Sequence, residues 1–108
     1  MDKILEELSK TIESRRTNKE EGSYTCYLFE KGLDKILKKC GEECSEMIIA
    51  AKNGDNTELK NEISDLIYHI FVLMSERGLP LKDVFDELKS RSKKAGNLKI
   101  NKNSNKNS

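Results

Sequence analysis

The sequence predicts an all-α protein, a bundle of about four helices plus one short helix, and three observations lead there. Apolar residues recur at intervals of three and four, as at Leu33, Ile36, Leu37, Cys40, Cys44, Met47 and Ile48, the spacing that keeps one side of a helix apolar. Breaking and capping residues fall between such segments, at Gly32, at Gly54-Asp55 and at Gly78-Leu79-Pro80. No stretch alternates apolar and polar residues as a half-buried strand would.

Each element has its own local reason. Ile4, Leu5, Leu8 and Ile12 share one face, so residues 3–14 form a first helix. RRTNKEEG, residues 15–22, has no apolar residue and reads as a mobile surface loop. Ser23 suits the N-cap of a short helix over 24–31, and Gly32 ends it. A long helix follows over 33–53, interrupted by Gly41, where glycine costs about 1 kcal/mol relative to alanine. That cost implies close backbone approach by a neighbouring helix or a ligand. Gly54 supplies a left-handed end, Asp55-Asn56-Thr57 cap the next helix, and that helix ends near Gly78. Pro80 suits the first turn of a last helix, with Leu81, Val84, Phe85 and Leu88 as its buried stripe. The domain is expected over 1–95. Residues 96–108 form a tail whose last eight residues are only Asn, Lys and Ser, a composition that predicts disorder.

At 108 residues the chain holds one domain. Charged residues make up 36% of it against 35% hydrophobic, a thin core for a solitary monomer, so a homodimer that buries a helix face is expected. A net charge of +1 gives no general attraction to nucleic acid or anionic membrane. No apolar run is long enough to span a bilayer, and MDKILEELSK carries acids where a signal peptide is apolar, so a cytoplasmic location is expected. The three cysteines, Cys26, Cys40 and Cys44, read as small buried residues in a reducing compartment; a zinc site with His69 or a redox pair is the alternative.

The chemistry concentrates in the two central helices. Glu42, Glu43 and Glu46 project within an arc of about 100° on the first, Glu43 nearest the apolar stripe and Glu42 furthest from it. Glu62, Asp65 and His69 share a narrow face of the second, which is otherwise apolar and therefore central. The tight turn at Gly54 sets the two acidic faces antiparallel. Carboxylates at the border of a packed helix pair need protons, hydrogen bonds or a cation. An all-oxygen set suits Mg²⁺, or Mn²⁺, better than zinc. An ordinary solvated acidic face is the other reading of the same spacing. Lys39 lies one turn before Glu43 on the acidic side and is the first candidate for a phosphate contact, ahead of Lys38 and Lys35. Glycine-rich phosphate loops and nucleophile triads are absent, which argues against P-loop and covalent chemistry.

EECSE at 42–46 followed by EISD at 62–65 is similar to the E-E-x-x-E...E-x-x-D signature of the MazG-like all-α nucleotide pyrophosphohydrolases. SYTCYLFEKG (23–32), KKCGEECSEMIIAAK (38–52), DLIYHIFVLM (65–74) and DVFDELKSR (83–91) together resemble, more specifically, the phosphoribosyl-ATP pyrophosphohydrolase family of histidine biosynthesis. The resemblance covers most of residues 1–95. It implies a dimeric bundle and Mg-dependent hydrolysis of 1-(5-phosphoribosyl)-ATP to 1-(5-phosphoribosyl)-AMP and pyrophosphate, with the site near the subunit interface. It carries the metal-ligand role to Glu43, Glu46, Glu62 and Asp65, and makes Glu42 an outer ligand or water-positioning group. It places Ser23, Tyr24 and Thr25 close to substrate. Arg15, Arg16 and Arg91 are candidates to reach the same small-molecule nucleotide. His69 has two readings, donor to a metal-bound carboxylate or substrate, and structural histidine beside Tyr68.

A housecleaning (d)NTP pyrophosphohydrolase would share the acids but lack the SYT and DLIYH blocks. A helical interaction module would bind no divalent cation. Deleting residues 97–108 is expected to leave activity and melting temperature nearly unchanged, because this tail has little apolar surface to bury; a marked loss of either means that it docks.

Overall fold

The computed structural model describes residues 3–95, and the expected tail lies outside the described residues. Five helices occupy this span: α1 Lys3–Thr17, α2 Tyr24–Lys31, α3 Leu33–Lys52, α4 Asn56–Arg77 and α5 Leu81–Ala95. No strand occurs among the described residues. The all-α expectation and the short helix therefore stand as read.

The caps act as the sequence implies. Ser23 Oγ accepts from Cys26 N (3.1 Å) at the start of α2, and an Asp55 carboxylate oxygen accepts from Glu58 N (3.0 Å) at the start of α4. Gly54 (φ 72°) turns the chain out of α3, and Gly78 (φ 69°) closes α4 in the left-handed region. The two long helices are thereby antiparallel and packed along their length, with α4 also meeting α1 and α2. The fully buried side chains Ile12, Leu28, Ile36 and Val72 come one from each of the first four helices and form one core.

Five expectations need correcting. The first helix continues one turn past residue 14, so Arg15, Arg16 and Thr17 are helical. Nothing there breaks a helix, and Arg16 pairs with Glu13 three residues back. The loop after it is fastened by Cys26, whose Sγ lies against Arg15 O (3.4 Å) and accepts from Glu20 N (3.3 Å). Gly41 does not interrupt α3, and among the described residues nothing beyond its chain neighbours and the helix's own backbone lies within 4 Å of where its Cβ would be. No described contact explains that glycine.

The apolar stripe of α3 is not its buried line. Ile36, Glu43 and Ala50 are buried at intervals of seven, while Leu37, Ile48 and Ala51 are exposed. One periodic stripe turns out to serve two directions, because α2 and α4 cover only one side of α3. The last helix shows the same effect more strongly: none of its described side chains is buried, and Leu88 is 55% exposed. After Gly78-Leu79-Pro80 the chain leads α5 to the margin of the bundle, so that among the described residues Leu81, Val84 and Phe85 are only partly covered. Leu28→Ala is expected to cost about 2–5 kcal/mol by denaturant unfolding, since it removes the α2 contribution to the core; a cost under about 1 kcal/mol means that α2 is not anchored there.

Candidate active site

The acids of α3 and α4 meet across the helix pair. Glu43 and Glu62 are 6% and 9% exposed, and Asp65 lies at the rim. Carboxylate oxygens from these three lie within 4.8 Å of one another. Glu43 Oε2 and Glu62 Oε2 are both buried without a hydrogen-bond partner. A buried, unpaired carboxylate oxygen is costly, and two of them aimed into one acidic cluster are the arrangement that a hard cation relieves. The donor set is all oxygen. These residues fit a Mg²⁺-type ion.

Glu46 stands outside this trio. Its carboxyl neighbours that of Glu62, as does that of Glu58, one turn before Glu62. Hydrogen bonding with Glu46, then burial, then the charges of Glu46 and Glu43 push the Glu62 carboxyl up to about 7. Burial, with the charges of Glu46 and Asp65, likewise raises Glu43. A cavity of about 400 Å³ opens beside them, lined by Glu46, Asn53, Asp55, Glu58 and Glu62 among others. The sequence reading missed Glu58 and Asn53. Glu58 lies four residues before Glu62 and was visible by extending the acidic line of α4 back one turn.

Cations and aromatic rings border the acids on the other side. Lys39 Nζ lies 3.4 Å from Glu42 Oε1 and 3.6 Å from Glu43 Oε1, so Glu42 faces the lysine and is not in the trio. Burial pulls the Lys39 ammonium down, but Tyr24, Glu42 and Glu43 outweigh it and hold its pKa above the ordinary value. Lys38 is exposed. His69 is buried, with Nδ1–H donating to the Asp65 carbonyl (2.7 Å), which leaves Nε2 to accept from the Tyr24 hydroxyl (3.0 Å). It packs edge-on against Tyr68 at 4.9 Å, and Tyr68 bonds Thr25. Both ring nitrogens are thus engaged, which is the structural reading of this histidine. Thr25 and Tyr24 fix α2 to α4, and Tyr24 alone of the SYT residues reaches the acidic side.

The arginines are placed differently from the acids. Arg15 pairs with Glu20 (3.0 Å) and Arg16 with Glu13, and both line a cavity with Cys26 and Phe29 on the α1 side of α2. Arg91, on α5, pairs with Glu87 (3.0 Å). The cysteines are unbridged, and Cys40 Sγ donates to the His69 carbonyl (3.5 Å) instead of joining a ligand set with its ring.

This acidic helix pair coincides with a match to a family model. Residues 5–92 match the model described as phosphoribosyl-ATP pyrophosphohydrolase. The chain belongs to the phosphoribosyl-ATP pyrophosphohydrolase family. It is 58% identical over 87 residues to a phosphoribosyl-ATP pyrophosphatase of Bacillus cereus, covering 81% of each chain. It is 57% identical to a protein of the same name from Listeria innocua, covering 84% of this chain and 87% of that one. To a histidine biosynthesis bifunctional protein of Thermoanaerobacter pseudethanolicus it is 61% identical over 85 residues, spanning 79% of this chain but 39% of that protein. The chain thus spans most of the length of the two pyrophosphatases and less than half of the bifunctional protein. All the acids described above lie inside the span matched to the phosphoribosyl-ATP pyrophosphohydrolase family.

The raised carboxyl has a consequence for stability. A group whose folded pKa of about 7 exceeds its ordinary 4.5 binds more protons folded than unfolded between those values, so stability falls as pH rises through that window. In chelator the melting temperature is expected to decline from pH 5 to pH 8, and Glu62→Gln or added Mg²⁺ is expected to flatten the decline. A wild-type profile already flat in chelator means that these carboxyls do not face one another.

Proposed function

We propose that this protein hydrolyses 1-(5-phosphoribosyl)-ATP between the α- and β-phosphates, giving 1-(5-phosphoribosyl)-AMP and pyrophosphate in histidine biosynthesis. The observation that carries the reading is the pair of unpartnered carboxylate oxygens of Glu43 and Glu62, set in a chain that matches the family from residue 5 to 92. Glu43, Glu62 and Asp65, with Glu46 beside them, would hold Mg²⁺ or Mn²⁺ as a resident cofactor. Held by these residues, such an ion would supply charge neutralisation for the triphosphate and for the departing pyrophosphate.

The chain's own groups do the rest. Lys39 sits between the acids and Tyr24, so its ammonium exchanges carboxylate contacts for phosphate oxygens when a triphosphate arrives. Glu46 stands next to the trio and is open to the cavity, where it orients an attacking water and takes its proton. His69 holds Tyr24 in place through its Nε2 and does not reach substrate itself. Water is the nucleophile, and no covalent intermediate forms. The SYT and DLIYH blocks, which form the Tyr24–His69 and Thr25–Tyr68 bonds, favour this reading over a housecleaning (d)NTP pyrophosphohydrolase.

The working form is a homodimer. Leu37, Ile48, Ile49, Ile63, Ile67 and Ile70 are 37–58% exposed on α3 and α4, an apolar face that a second copy of the chain covers. Among the described residues no helix is long and apolar enough to cross a membrane, and a cytoplasmic place suits a biosynthetic hydrolase.

Glu43→Gln, Glu62→Gln and Asp65→Asn are each expected to lower turnover by orders of magnitude while melting temperature holds or rises in chelator, because removing a like charge relieves repulsion. A variant of the trio that keeps wild-type turnover contradicts the ligand assignment. The purified protein with Mg²⁺ is expected to release pyrophosphate from phosphoribosyl-ATP far faster than from ATP, dCTP or dUTP. A deoxynucleotide that equals it in kcat/KM overturns the assignment in favour of the housecleaning one.

A further inference from the structure

The substrate in this reading carries, beyond its triphosphate, a second ribose phosphate on the purine ring, and what tells it from ATP is whatever binds that extra dianion. The arginines that the sequence offers for this are held by Glu20 and Glu13 on the α1 side of α2. A different cation pair lies on the acidic side. Lys31 ends α2 and Lys35 lies in the first turn of α3, and Gly32 between them adopts φ 94°, a value that L side chains rarely take. Lys31 follows Tyr27 by one helical turn on α2, and the turn at Gly32 brings Lys35 to the same ring, with Lys31 Nζ at 5.8 Å and Lys35 Nζ at 6.0 Å from the centroid of Tyr27.

Both cation–ring contacts among the described residues fall on this ring. By contrast Lys39, Arg15, Arg16 and Arg91 have carboxylates within ion-pair distance, and neither Lys31 nor Lys35 meets one among the described residues. Two like charges drawn to one ring gain little from it at an exposed site, about 0.5–1 kcal/mol each. Their mutual repulsion is relieved by an anion that bridges them. The first amides of α3 add to the attraction, since Gly32 has no side chain to cap them; Asp34 in the same turn is exposed and opposes it in part.

A chain of contacts links the patch to the acids. Tyr27 stacks on Tyr24 (6.1 Å between centroids), and Tyr24 bonds His69, which rests on the Asp65 carbonyl. Tyr24 and Tyr27 are both more than two-fifths exposed, and ring surface of this kind suits a purine. Lys35, Lys39 and Glu43 follow one another at intervals of four along one side of α3. At about 1.5 Å per residue Lys35 lies roughly 12 Å along the axis from Glu43, a separation that suits two phosphate groups held at opposite ends of a nucleotide and not two phosphates of one triphosphate.

We propose that Lys31 and Lys35, gathered over Tyr27, bind the ribose 5-phosphate group of the substrate and so set its preference over ATP. This rests on the phosphoribosyl-ATP reading and adds the residues that recognise the distinguishing phosphate. The test compares wild type with the double variant Lys31→Gln/Lys35→Gln in steady-state kinetics on phosphoribosyl-ATP and on ATP, together with calorimetric titration of ribose 5-phosphate alone. KM for phosphoribosyl-ATP is expected to rise at least tenfold with kcat changed less than about threefold. On ATP, kcat/KM should stay within about twofold, and ribose 5-phosphate binding should weaken by a similar factor to KM. Tyr27→Leu is expected to reproduce part of the KM effect, by releasing the pair. Wild type with no preference for phosphoribosyl-ATP overturns the reading of the reaction itself. A clear wild-type preference that survives intact in the double variant overturns the lysine assignment alone, as does an equal loss on both substrates.

Discussion

The constraint on which the rest of the structure depends is the repulsion among carboxylates that α3 and α4 bury against each other. Two long helices with Glu43 and Glu62 on their mutual face pack only if those charges are answered. The chain answers part of the charge itself, with Lys39 beside Glu43 Oε1 and with Glu46, next to Glu62, raising the Glu62 carboxyl toward its protonated form. It leaves one oxygen of each buried glutamate without a partner. Natural interiors rarely keep such groups without cause, and the cation proposed for this site would be that cause.

The remaining architecture holds this face in position. The Asp55 cap and Gly54 set α4 antiparallel to α3, so that residues nineteen apart in sequence, Glu43 and Glu62, come together. The core of Ile12, Leu28, Ile36 and Val72 fixes α1 and α2 against that pair. The bonds from Thr25 to Tyr68 and from Tyr24 to His69 then bring the exposed tyrosine ring to the edge of the acids. His69 is the joint of this arrangement, because one nitrogen ties it to the backbone of Asp65 and the other to the helix that borders the acids.

Much of this was legible in the residues. Ser23, Asp55 and Gly78 announce helix ends by local chemistry, and each acts where it stands. The acids were legible because 100° per residue places Glu43 nearest the packed side, where it is found. Three features were not legible, for physical reasons. The last turn of α1 contains no apolar residue, and an exposed turn needs none, so periodicity was silent about Arg15 to Thr17. The stripes of α3, α4 and α5 look alike in sequence whether a neighbour in the same chain or a second copy covers them, so Leu37, Ile48 and Leu88 could not be sorted from Ile36. Tyr27 and Lys31 share one face of α2, but Lys35 joins them only because Gly32 turns the chain with a positive φ. Spacing rules, which work within one helix, do not cross such a turn.

The most direct measurement is calorimetric titration of Mg²⁺ near pH 7 in two buffers of different ionisation enthalpy, which reports both binding and proton release. Saturable binding with release of a fraction of a proton is predicted for the wild type, with the release lost in Glu62→Gln and affinity reduced in Glu43→Gln. Absence of saturable binding, or binding with neither property altered by these substitutions, would contradict the placement of the cation between α3 and α4.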